Sequence, residues 1–113
     1  MSDTSTIAVA TKENFWDLVG TGTVLVDVWG PDCRPCLALM PAVASLAERQ
    51  ADWLSVVKLE APTARRLCME LKVMSMPAFI LFQDGKEKAR LSDPALNVMQ
   101  LNEWVNEQKE EVS

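Results

Sequence analysis

The stretch Val24-Leu25-Val26-Asp27-Val28-Trp29-Gly30-Pro31-Asp32-Cys33-Arg34-Pro35-Cys36 constrains this chain more than any other. An apolar run with one acid inside it reads as a buried strand, and a helical pattern follows it directly. The turn between them carries cysteines at i and i+3. On a helix these positions share one face, so Cys33 and Cys36 come within the Cα separation of roughly 5–6 Å that a disulfide requires. They can close a small ring and reopen it. The free N–H groups and positive dipole end of a helix N-terminus favour thiolate over thiol, and Cys33 gains more from them than Cys36, a turn further in.

Such a pair can also be half a zinc site or two inert thiols. A zinc site needs four ligands, whereas Cys68 supplies only a third sulfur and the chain has no histidine. The same absence excludes Cys–His nucleophilic pairs. The strand-to-helix context therefore favours a redox pair, with no metal and no bound cofactor expected.

At 113 residues the chain has room for one domain and one sizeable core. A net charge of −5 without a basic stripe argues against nucleic acid and anionic membrane as partners. The N-terminal Met1-Ser2-Asp3-Thr4-Ser5-Thr6 lacks a basic then apolar leader pattern, and three cysteines suit a reducing compartment, so a cytoplasmic monomer is expected.

Along the chain, Thr6 to Ala10 reads as an edge strand, and Thr11 as the cap of a helix whose apolar face is Phe15, Leu18 and Val19. Gly20-Thr21-Gly22-Thr23 ends it. A long helix from about Arg34 to Gln50 carries two apolar lines, Leu37, Met40, Ala44, Ala47 and Leu39, Val43, Leu46, which predicts cover over most of its circumference. Pro35 sits harmlessly in its first turn, and Pro41 should kink it. Leu54 to Leu59 is a strand, then Pro62 and a short helix with Ala64, Leu67, Cys68 and Leu71 on one side. Ala78 to Phe82 reads as a strand buried on both faces, and Asp84-Gly85 as a hairpin turn into Lys86 to Leu91. Asp93-Pro94 is expected to open a last helix with Val98, Leu101, Trp104 and Val105 inward. The order is β-α-β-α-β-α-β-β-α, with parallel pairing expected through the crossovers and an antiparallel hairpin at the end.

The run VLVDVWGPDCRPC with Pro41 beyond it resembles the thioredoxin family, whose apolar strand ends in Trp-Cys-Gly-Pro-Cys. Met76-Pro77-Ala78-Phe79 resembles that family's cis-proline loop and Phe82-Gln83-Asp84-Gly85-Lys86 its hairpin, so the likeness runs from about Thr6 to Trp104. It implies a single α/β domain with a central mixed sheet of about five strands flanked by about four helices. It implies a thiol–disulfide oxidoreductase that reduces client disulfides and is recharged by a thioredoxin-reductase-like donor. Cys33 is then the nucleophile and Cys36 the resolving thiol. Asp27, one charge in an apolar strand, should have its pKa raised by desolvation and accept the Cys36 proton, as the matching buried acid of the family does. The resemblance also implies a cis Met76–Pro77 bond beside Cys33, where a partner chain can pair. Trp29, Asp32, Arg34, Pro35, Met76 and Pro77 are the expected substrate-binding residues. Cys68 reads as a buried small hydrophobe.

Three positions depart from the pattern. Asp32 replaces the family's Trp, Arg34 its Gly, and Leu91-Ser92-Asp93-Pro94 lacks the Gly that lines the partner groove. Arg34 favours thiolate and so a more oxidising pair, and Asp32 does the reverse. The Gly-Pro-Asp-Cys-Arg-Pro-Cys loop is also similar to atypical thioredoxins of anaerobic bacteria, including those paired with amino-acid reductases such as glycine reductase. Two rival functions stay open at this point: a disulfide oxidase or isomerase, and a redox-inactive docking subunit on the same fold.

Overall fold

Strand β2, Thr23–Trp29, is the axis of a five-stranded sheet in the computed structural model, which describes residues 7–112. Before it come β1, Ile7–Ala10, and the one-turn helix α1, Phe15–Leu18; after it come α2, Arg34–Arg49, and β3, Ser55–Glu60. A 3-10 turn at Ala61–Thr63 leads to α3, Arg65–Glu70, then β4, Ala78–Gln83, β5, Lys86–Ser92, and α4, Val98–Val112. The sheet order is β1-β3-β2-β4-β5, giving the expected mixed sheet and four helices. The proposed start of β1 at Thr6 lies outside the described residues. Among the described residues no helix is long and apolar enough to cross a membrane.

Side-chain alternation along β2 sorts the core into two layers. Val24, Val26 and Val28 pack with Phe15, Val19, Leu67 and Ile80 on the α1/α3 face. Leu25 packs with Leu39, Val43, Leu46, Phe79 and Leu101 on the α2/α4 face. Asp27, two residues beyond Leu25, falls on the α2 face.

Local signals were obeyed where backbone chemistry decided them. Thr11 Oγ1 accepts from the Asn14 N–H at 3.2 Å and Asn14 Oδ1 accepts from the Thr11 N–H at 2.6 Å, a reciprocal pair that closes the turn ahead of α1, so that Asn14 and not Thr11 is the helix N-cap. Asp84 and Gly85 take φ of 50° and 86°, the left-handed pair that a two-residue hairpin turn needs. Helix α2 runs unbroken through Pro41, which has no N–H to offer the Leu37 carbonyl.

Three further expectations are corrected. Strand β4 runs antiparallel to β2, not parallel. A strand apolar on both faces reads alike in either direction. Its direction follows from the connection, which keeps the chain at one end of the sheet: Glu60 closing β3 lies opposite Trp29, and Ala78 opening β4 lies opposite Val28. Helix α2 is not covered round most of its circumference. Leu37 is 41% exposed, and Met40 and Ala44 are half-buried because they border an open cleft, while Leu39, Val43, Leu46 and Ala47 are buried. Helix α4 starts at Val98, not at Asp93-Pro94. Asp93 instead closes a tight turn, its Oδ1 accepting from the Ala95 N–H at 2.8 Å. The cap belongs to Asn97, whose Oδ1 accepts from the Gln100 N–H at 2.9 Å while Gln100 Oε1 accepts from the Asn97 N–H at 3.0 Å. Val98, first in the helix, is consequently 44% exposed, whereas Leu101 and Val105 are buried and Trp104 partly so.

Candidate functional site

The C-terminal end of β2 hands the chain to α2 through one tight turn. The Cys33 N–H donates to the Gly30 carbonyl at 3.0 Å, closing Gly30-Pro31-Asp32-Cys33 with Pro31 at the corner, where its fixed φ suits a turn. Cys33 has extended backbone angles and is the N-cap of α2; its Sγ accepts from the Cys36 N–H at 3.2 Å, the bond a capping side chain makes. Pro35 occupies the first helical turn, where its lack of an N–H is harmless. Cys33 and Cys36 form a disulfide, S–S 2.11 Å and Cα–Cα 5.2 Å, the separation expected for the spacing. The two sulfurs are not equivalent. Cys36 is 2% exposed, whereas Cys33 is only partly buried and opens onto a groove.

That groove, about 650 Å³, gathers Asp32, Cys33, Arg34, Pro35 and Met76. The Met76–Pro77 bond is cis, as the resemblance implied. Pro77 itself is buried and does not line the groove, and neither does Trp29, whose ring lies under the Lys58 ammonium at 5.0 Å. Sequence reasoning missed Pro31, Pro62 and Gly30 as groove walls. Nothing local marks Pro62. Gly30 directly follows a strand, and a Cβ there would stand 3.4 Å from Met76 Cε and 3.8 Å from Pro62 Cδ, in ordinary contact, so that only a side chain larger than alanine's would press on both.

Asp27 is 2% exposed. Burial raises its carboxyl from 3.8 to about 7, against the opposing pull of the Lys58 cation. Lys58 was also missed, although it is the one charge within the apolar run Val56 to Leu59. It stands opposite Asp27 in the β2–β3 register, with Nζ 3.9 Å from Met40 Sδ. Cys68 is 8% exposed in the α1/α3 core, and burial pushes its thiol pKa up, as befits a small core residue.

The arrangement is chemically specific: an accessible sulfur at a helix N-terminus, a second sulfur bonded behind it, and a buried acid on the strand beneath the same helix. A family model described as "Thioredoxin" matches residues 6–107. A thioredoxin of Acetoanaerobium sticklandii is 39% identical over 70 residues, covering 62% of this chain and 67% of that protein. One from Chlamydia muridarum is 34% identical over 84 residues, covering 74% and 81%. Among solved structures, oxidised mitochondrial thioredoxin 3 of Saccharomyces cerevisiae superposes with a TM-score of 0.81 at 22% identity, covering 94% of this chain and 99% of that one. A chain from the complex of ferredoxin:thioredoxin reductase with thioredoxin f2 gives 0.81 at 20% identity, covering 92% and 96%. These last two likenesses concern the fold.

Proposed function

The chain belongs to the thioredoxin family, and on that premise we propose that Cys33 is the nucleophile, Cys36 the resolving thiol and Asp27 the proton acceptor of its exchange cycle. The chain is a thiol–disulfide oxidoreductase that reduces protein disulfides. In the reduced protein, the Cys33 thiolate attacks one sulfur of a client disulfide, forming a mixed disulfide and expelling the first client thiolate. Cys36 then loses its proton to Asp27 and attacks Cys33 Sγ, which closes the internal disulfide and releases the second client thiolate. Two electrons pass to the client, and a reductase must return two to the pair.

The observation that carries these roles is the unequal exposure of the two sulfurs: a client disulfide can reach Cys33 through the groove, while Cys36 is shielded behind it. Asp27 ionises near neutral pH, so it can accept a proton there, and resolution should quicken as pH rises through about 7. Asp32, Arg34, Pro35 and Met76 form the client-facing region, in which Met76 offers backbone beside Cys33 for strand-like pairing; Pro77 and Trp29 do not line it.

For the electron donor, a flavin-type thioredoxin reductase is the family expectation; the relative of known structure in complex with ferredoxin:thioredoxin reductase supports a reductase of some kind. A glycine-reductase-type client rests on the Gly-Pro-Asp-Cys-Arg-Pro-Cys loop alone. A monomer in the cytoplasm is the reading that fits the acidic surface and the free Cys68. An oxidase or isomerase is not favoured by the family, and a docking subunit has no need of a cysteine pair.

Trapping tests the roles. Cys36→Ser mixed with a disulfide client should accumulate a covalent adduct through Cys33, while Cys33→Ser should form none and the unmodified protein should turn over. An adduct through Cys36 in the Cys33→Ser protein would reverse the assignment.

A further inference from the structure

A second concavity, about 400 Å³, opens between β1 and α2, and the exchange cycle uses only its floor. Its size lies within the range of small-ligand sites. Ile7 and Val9 of β1 face Met40, Val43 and Ala44 of α2 across it, and among the described residues Asp27 and Lys58 are the charged ones in its wall. Among the described residues no hydrogen-bond donor reaches the Asp27 carboxyl, yet neither of its oxygens is a sealed, unpartnered atom. Its oxygens therefore open into the cleft. Lys58 has no carboxylate within 4.0 Å among the described residues; its ammonium meets a thioether sulfur and the Trp29 ring.

An apolar channel ending in a buried carboxyl and an unpaired ammonium has a definite complement. We propose that this cleft binds a small aliphatic carboxylate, with its head between Lys58 Nζ and the Asp27 carboxyl and its chain along Ile7, Val9, Met40 and Val43. Lys58 supplies the opposite charge. Asp27 in its neutral form donates O–H to the bound carboxylate, a charge-assisted bond strengthened by the low-dielectric wall. An ammonium head would meet Lys58 as a like charge, and an alcohol would forfeit the ion pair.

Binding is then linked to Asp27, because the ionised carboxylate would repel the ligand's own. The groups facing it are few. Lys58 comes from β3, the wall residues of β1 and α2 do not titrate, Phe79 of β4 lies opposite it in register, and Cys36, further up α2, is tied in the disulfide of the oxidised protein. With the carboxyl titrating near 7, affinity should fall about tenfold between about pH 6 and about pH 8.

Octanoate is the probe, titrated into the oxidised full chain and followed by amide NMR shifts. The oxidised form keeps the measurement independent of the exchange cycle, so failure here leaves the redox roles standing. Saturable shifts at Ile7, Val9, Asp27, Met40 and Ala44, the tenfold weakening with pH, and octylamine and octanol binding at least about fivefold more weakly would support the site. Lys58→Gln should lose about as much. Shifts that do not saturate or that fall elsewhere, octylamine binding as tightly as octanoate, or affinity that rises with pH would overturn it. The head-group and pH series use the unmodified protein, so they decide even if Lys58→Gln does not fold.

Discussion

Replacing Asp27 by Asn should stabilise the oxidised protein at neutral and alkaline pH and do little in acid. The carboxyl titrates at about 7 when folded and at 3.8 when free, a difference of about 3 units. At roughly 1.4 kcal/mol per unit this is about 4 kcal/mol, and at 2% exposure there is little solvent to screen it. The sign follows from which state holds the proton. Between about pH 4 and about pH 7 the folded chain keeps a proton that the unfolded chain has lost, so stability falls as pH rises and levels off above the folded value. Asn cannot titrate, and every other group is shared between the two proteins. The difference in unfolding free energy, variant minus parent, should therefore climb from near zero at about pH 4 to about 4 kcal/mol in favour of Asn at about pH 8. Urea unfolding at a series of pH values, read by tryptophan fluorescence, measures it. A flat difference curve, or one that falls with pH, would mean that Asp27 is not a buried neutral acid in the folded state.

Three further outcomes are expected. Asn97→Ala should cost about 1 kcal/mol of stability by removing the α4 cap, and Asp93→Ala less than about half of that; equal losses in chemical denaturation would return the cap to Asp93. Arg34→Gly should make the Cys33/Cys36 couple more reducing by about 10 to 30 mV in equilibration against glutathione, since the exposed cation next to Cys33 stabilises its thiolate; a shift to higher potential would contradict that. Gly30→Val should push on Met76 and Pro62 and cut kcat/KM for a protein disulfide about tenfold while sparing a small-molecule disulfide. An equal loss on both substrates would place the damage in the cysteines rather than in the groove.

Much of the molecule is legible in local pattern. The apolar run from Val24 with one acid, the Cys33/Cys36 spacing and the Asp84-Gly85 turn each act over a few residues, and each stands in the structure as read. Misreadings came where two local signals competed. Asp93-Pro94 is a good helix start in isolation, but Asn97 and Gln100 cap each other reciprocally and take the helix four residues later. The direction of β4, the open side of α2 and the walls of the groove depend on contacts between segments distant in the chain.

The sequence by itself determined an α/β fold with an exchangeable cysteine pair at a helix entrance and a lone acid in its central strand. Periodicity, caps and turn chemistry are short-range, and they are written where they act. The tertiary structure alone decided that Lys58 stands opposite Asp27, that Met76 and Pro62 close on Gly30 beside Cys33, and that a cleft remains under Met40 and Ala44. Those are matters of register, strand direction and packing between remote segments, which no local pattern records.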